Sequence, residues 1–78
     1  MVTSSDAVST DRKDATAITV MRCMLLTYAE EKGTSFEQAL QEFAQSRTYG
    51  ALFDFDAGVW KEGPDYLRWL YDEELAKT

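Results

Sequence analysis

The apolar positions of this chain change their spacing along its length, and each spacing predicts an element. From Asp14 to Lys32, Ile18, Met21, Leu25 and Tyr28 recur every three or four residues, and Ala17, Met24 and Ala29 widen the stripe. Such a pattern predicts an amphipathic helix facing a core. Gly33 stands just past its end, where a residue free to adopt the left-handed conformation is favoured. Glu30 and Glu31 oppose the helix dipole near that end, and Lys32 partly offsets them. Val20, Cys23 and Leu26 fall outside the stripe, so the middle of the helix is apolar around much of its circumference. This helix is therefore expected to be central to the fold or to offer one face to another chain.

A second stripe, Phe36, Ala39, Leu40, Phe43 and Ala44, predicts a helix that starts in TSFEQAL and runs to about Ser46. Ser35 with Gln38 fits a capping box, and Thr34 with Glu37 fits one shifted by a residue. The short Gly-Thr-Ser connection predicts an antiparallel hairpin of the first two helices. In RTYGALFDFDAG, Tyr49, Leu52, Phe53 and Phe55 predict a helical turn capped by Thr48 and ending near Asp54. Gly50 weakens that turn, but an isolated strand would have no partner. Gly63-Pro64 opens the last helix, with proline at the first helical position and Asp65 at the positive end of the dipole. Leu67, Leu70, Tyr71 and Leu75 make its buried stripe. Tyr66 lies beside Leu70, and Trp69 lies off the stripe. Residues 1–13, MVTSSDAVSTDRK, have no periodic apolar face and are expected to be a disordered leader. The expected fold is thus all-α. Residues 14–78 form one small domain, an antiparallel helix hairpin plus a C-terminal helix with a short aromatic helical turn between them.

Length sharpens this picture. A 78-residue chain buries only roughly 60% of the surface its unfolded form exposes, so self-association is an available way to hide more. The net charge of −6 comes mostly from the C-terminal part, where Gly50 to Thr78 carries seven acids against three bases. Clustered Lys and Arg are missing, which argues against direct nucleic-acid binding and against an anionic membrane surface. A basic protein partner fits this charge. The longest apolar-rich stretch is broken by Arg22 and is too short to span a bilayer. The opening residues lack a basic region followed by an apolar run, so no secretory signal is expected. Cys23 is the only cysteine, which excludes an intrachain disulfide and points to the reducing cytoplasm.

Candidate chemistry is sparse. In DFDAGVWKEGPD, Asp54, Asp56 and Asp65 fall at the first, third and twelfth places of a calcium loop. Gly58 then occupies the fifth place, which needs an oxygen, and Val59 the sixth, which needs the turn glycine. The stretch reads instead as a turn whose acids are solvated or cap the last helix. With no histidine, neither a histidine-based triad nor a histidine-ligated metal site can be built within one chain. Cys23 lies among apolar residues and reads as a small hydrophobe. No enzyme activity, metal or cofactor is expected.

The aromatics carry the functional expectation. Tyr49, Phe53, Phe55, Trp60, Tyr66, Trp69 and Tyr71 crowd into one stretch, and most are expected to lid the hairpin. Trp60 in its loop and Trp69 off the stripe are the exceptions, and Trp and Tyr are favoured at binding hot spots. The candidate interaction residues are Trp60, Trp69 and Tyr66, together with Val20, Cys23 and Leu26 on the first helix. The expected function is a non-catalytic protein–protein interaction or self-assembly module, its partner another protein or a second copy in a homo-oligomer. The alternatives are an acidic neutralising partner, antitoxin-like or mimicking nucleic acid, and a small metal-binding protein.

Three segments carry a resemblance: Leu25 to Lys32, Ser35 to Phe43, and VWKEGPDYL from Val59 to Leu67. Together they resemble a family of small, uncharacterised bacterial helical proteins, which implies a cytoplasmic location. These have an opening helix, a Ser-capped second helix, and a loop with an aromatic or His residue. The family's loop histidine is replaced here by Trp60. The resemblance implies a short helical fold and no particular activity. Some relatives are encoded near toxin-like genes, which implies an acidic neutralising role.

Overall fold

The chain folds as helices linked by tight turns. In this computed structural model, the structure describes the backbone of residues 2–77 and the side chains from Lys13 to Lys77. The elements are α1 (Val2–Lys32), α2 (Phe36–Ala44), α3 (Arg47–Leu52), a 3₁₀ turn (Val59–Lys61) and α4 (Pro64–Lys77). The fold is all-α, with no strand among the described residues. α1 starts at Val2, ahead of the expected Asp14. The leader expected over residues 1–13 falls, apart from Lys13, on side chains outside the described residues. At a rise of about 1.5 Å per residue, α1 is about 46 Å long and sets the longest dimension of the molecule, 47 Å.

Local chemistry ends and starts these helices. Gly33 adopts φ 69°, which lets Thr34 N donate to Ala29 O at 3.0 Å and Gly33 N to Glu30 O at 3.3 Å. That pair of bonds satisfies the last carbonyls of α1 as a Schellman motif. Ser35 caps α2, its Oγ accepting from Gln38 N at 3.1 Å. Only half of the expected box forms, because the Gln38 side chain donates forward to Glu42 Oε2 instead. Gly63, at φ 91°, precedes Pro64 at the start of α4, and Leu67 N donates to Gly63 O at 3.2 Å. The expected aromatic turn is α3, but its cap is Ser46 and not Thr48. Ser46 Oγ accepts from Tyr49 N at 3.1 Å and donates to Phe43 O at 2.6 Å.

α1 is packed by α2, by the 3₁₀ turn and by α4. Because these elements embrace it from more than one side, its buried arc is wider than one stripe, and rotated from the expected one. Val20 is 8% exposed and belongs to the core, whereas Ile18 is 40% exposed. Met24 and Leu25 are buried at its centre, against Phe43 of α2, Leu52 of α3, Val59 of the turn, and Leu67 and Tyr71 of α4 in one cluster. On α4, Leu67 and Tyr71 are buried as expected, Leu70 is half-buried and Leu75 is exposed.

Candidate interaction surfaces

The aromatic side chains divide into two groups. Seven rings form a continuous chain of contacts through the molecule. Tyr28 meets Tyr71 at 5.3 Å between centroids, Tyr71 meets Phe43 edge-on at 5.0 Å, and Phe43 meets Tyr49 at 5.9 Å. The chain continues through Phe53 at 4.9 Å, Phe55 at 6.5 Å and Trp60 at 6.2 Å. It thereby touches every helix and the 3₁₀ turn. Such tilted and edge-on pairs contribute beyond their buried area. Burial against these rings pushes the Tyr71 hydroxyl up to about 12.

Trp60, a candidate interaction residue, ends this chain. Its ring is half-buried, its Nε1 donates to Phe55 O at 3.1 Å, and Lys61 Nζ lies 5.9 Å over it. The indole pins the 53–60 turn to the core and offers little free surface. Val20, also a candidate, is likewise spent on the core.

Tyr66 and Trp69 behave differently. They stack on each other at 5.9 Å with planes 26° apart, one turn along α4. They are 40% and 55% exposed. Helical phase explains this. Leu67 and Tyr71 set the inward direction of α4, and Trp69 lies nearly opposite Leu67 at 100° per residue. Asp65 precedes this stack, Glu73 follows Trp69 by four residues, and both are exposed. On α1, Cys23 and Leu26 are exposed and share a shallow hollow with Thr19 and Arg22. The candidate residues therefore fall on separate elements: an aromatic face on α4 and an aliphatic ridge on α1.

Two polar junctions escape sequence reasoning. At the first, Glu74 of α4 reaches the N-terminus of α3. Its Oε2 accepts from Arg47 N at 2.9 Å, and its Oε1 accepts from Thr48 N at 2.8 Å and Thr48 Oγ1 at 2.6 Å. With Ser46 capping Tyr49 N, the first three amides of α3 are all satisfied. The Thr48 hydroxyl, helped by the two amides, holds the Glu74 carboxyl below its usual range. At the second, Arg68 of α4 donates from Nη2 to Glu31 Oε1 at 2.7 Å and from Nε to Asp72 Oδ1 at 3.0 Å. The guanidinium also lies 5.1 Å over the Tyr28 ring. The Arg68 hydrogen bond lowers the Glu31 carboxyl. One signal was available for both junctions. Glu31 and Glu74 stand in the C-terminal halves of helices, where the dipole disfavours acids unless a partner compensates.

The 54–58 stretch forms a turn: Asp54 Oδ1 accepts from Asp56 N at 3.3 Å, Asp54 O accepts from Ala57 N, and Gly58 turns with φ 77°. Among the described residues, no group of three or more acidic or cysteine side chains is placed to hold a metal ion, and no helix is long and apolar enough to cross a membrane. No protein-family model, curated protein or solved structure matches the chain.

Proposed function

We propose that this protein is a non-catalytic protein–protein interaction module whose α4 outer face docks a basic protein partner in the cytoplasm. The observation that carries this reading is the exposed Tyr66–Trp69 stack, set among exposed acids. The stack is already ordered by its own ring contact, so a partner would bury two large rings at low entropic cost. The rings supply hot-spot area and the acids supply steering toward a positively charged surface.

The test uses in-cell photocrosslinking at Asp72, beside the stack, followed by binding measurements with the captured partner. Trp69→Ala and Tyr66→Ala are expected to weaken that binding by about tenfold or more, the size of a hot-spot truncation. High salt is expected to slow association. Binding that persists unchanged in both variants would remove the α4 face from the reading.

An acidic neutralising role, antitoxin-like or mimicking nucleic acid, is the second reading. It is favoured by Asp54, Asp56, Glu62, Asp65, Asp72 and Glu73, all exposed within one stretch. Co-expression with the products of neighbouring genes tests it. Relief of growth arrest that disappears when these acids become amides supports it, and no relief from any neighbour removes it.

A further inference from the structure

We infer that a second copy of this chain packs antiparallel on the outer face of α1, with the two-fold axis at Leu26 and Arg22 of each copy opposite Glu30 of the other. Leu26 is 57% exposed, the most exposed large apolar side chain described. Arg22 and Glu30 lie four residues before and after it, also exposed, so the three form one ridge along the helix. Among the described residues, the ion pairs are those of Arg68 with Glu31 and Asp72, so neither Arg22 nor Glu30 has an ion-pair partner there. A cation, an apolar knob and an anion in that order are self-complementary under one operation. In a two-fold contact, residue i meets j while j meets i. Antiparallel packing about Leu26 joins both charge pairs at once. Parallel packing in register would set Arg22 against Arg22 and Glu30 against Glu30.

The surface around the ridge suits a close helix approach. Thr19 and Cys23 beside the ridge are small, and with Arg22 and Leu26 they line a shallow hollow, so little side-chain bulk there holds a neighbouring helix away. The contact is limited to one helix pair, below the area of a standard stable interface, so the dimer is weak and its register is set by charge. The register also fixes the cysteines. Each Cys23 lies three residues from the axis, so the two are offset by about 9 Å along the helices, too far for a disulfide without rearrangement.

This inference rests on reading the protein as a binding module, but it concerns α1 and not α4, so different variants test the two. Sedimentation of the full chain over a rising concentration series is expected to show a dimer that salt weakens. Arg22→Glu and Glu30→Arg are each expected to weaken it about tenfold, and the double exchange to restore it. In a Cys23→Ser background, Leu26→Cys is expected to form a disulfide-linked dimer on mild oxidation, while the unsubstituted chain does not cross-link through Cys23. A strict monomer at every concentration, a double exchange that does not restore the dimer, or a Leu26→Cys chain that stays uncrosslinked would overturn the inference. Loss of the dimer in Trp69→Ala alone would overturn it too, by moving self-association to α4. Circular dichroism shows whether each variant keeps its helices.

Discussion

Trp60 and Trp69 stand nine positions apart, in similarly acidic surroundings, yet they have opposite fates. Trp60 closes a chain of seven rings, with its indole N–H bound to Phe55 O. Trp69 stands out from α4, and among the described residues its ring neighbour is Tyr66. The difference comes from what surrounds each backbone. Trp60 sits in a 3₁₀ turn folded onto α1, where a large ring has a core to reach. Trp69 sits on a helix whose inward direction is already taken by Leu67 and Tyr71. Aromatic content therefore divides in one small chain: one group joins the elements, and the other is left exposed on α4.

The comparison breaks most severely at the hub of the chain. Phe43 is fully buried and touches both Tyr49 and Tyr71. Phe43→Ala is expected to cost about 3–5 kcal/mol, a large share of the ~5–15 kcal/mol that holds a typical domain folded. Urea unfolding followed by far-ultraviolet circular dichroism measures it. A loss below about 1 kcal/mol would show that the rings are neighbours without being a joint core.

The two tryptophans sharpen the contrast directly. Trp60→Ala removes a half-buried ring and leaves Phe55 O without its donor, and is expected to cost about 2 kcal/mol. Trp69→Ala removes an exposed ring and is expected to stay within about 0.5 kcal/mol of the unsubstituted protein. Equal losses in the two variants would erase the distinction between a core anchor and an exposed ring.

An expected effect between those of the two tryptophan variants lies at the polar junction that joins α4 to α3. Glu74→Gln keeps an acceptor for Thr48 but loses the charge, and is expected to cost about 1 kcal/mol. The Glu74 carboxyl titrates below the usual 4.5. Its contribution is therefore present above that value and lost as the pH falls through the folded-state value. Denaturation midpoints measured down an acid series should fall less steeply in Glu74→Gln than in the unsubstituted chain. Glu31, lowered by Arg68, shares this acid limb, so part of the slope remains. Parallel acid limbs in the two proteins would remove the role assigned to Glu74.

Much of the fold is legible in short windows of sequence. Gly33 as a left-handed stop, Ser35 as a cap and Gly63-Pro64 as a helix start each act within about one turn, and each sits where the spacing put it. The 3.6-residue period likewise placed Leu67 and Tyr71 inward and Trp69 outward. The exposure of the candidate residues was legible only in part. Leu26 and Trp69 fell off their stripes by helical phase, but so did Val20; Tyr66 lay beside the stripe, and Trp60 lay in a loop where phase decides nothing. The burial of Val20 and Trp60 depends on packing between elements distant in sequence, which no local pattern encodes.

What the sequence determined by itself was the all-α class, the main helices with the stop at Gly33, the cap at Ser35 and the start at Gly63-Pro64, and a net charge of −6 carried mostly toward the C-terminus. The tertiary structure alone decided that Val20 is core while Ile18 is exposed, and that Trp60 anchors while Trp69 faces solvent. It also decided that Glu74 caps a helix beginning 27 residues earlier. The reason is one of range. Propensities and caps act through neighbours on the same turn, whereas burial and cross-element hydrogen bonds depend on which helices cross, and where.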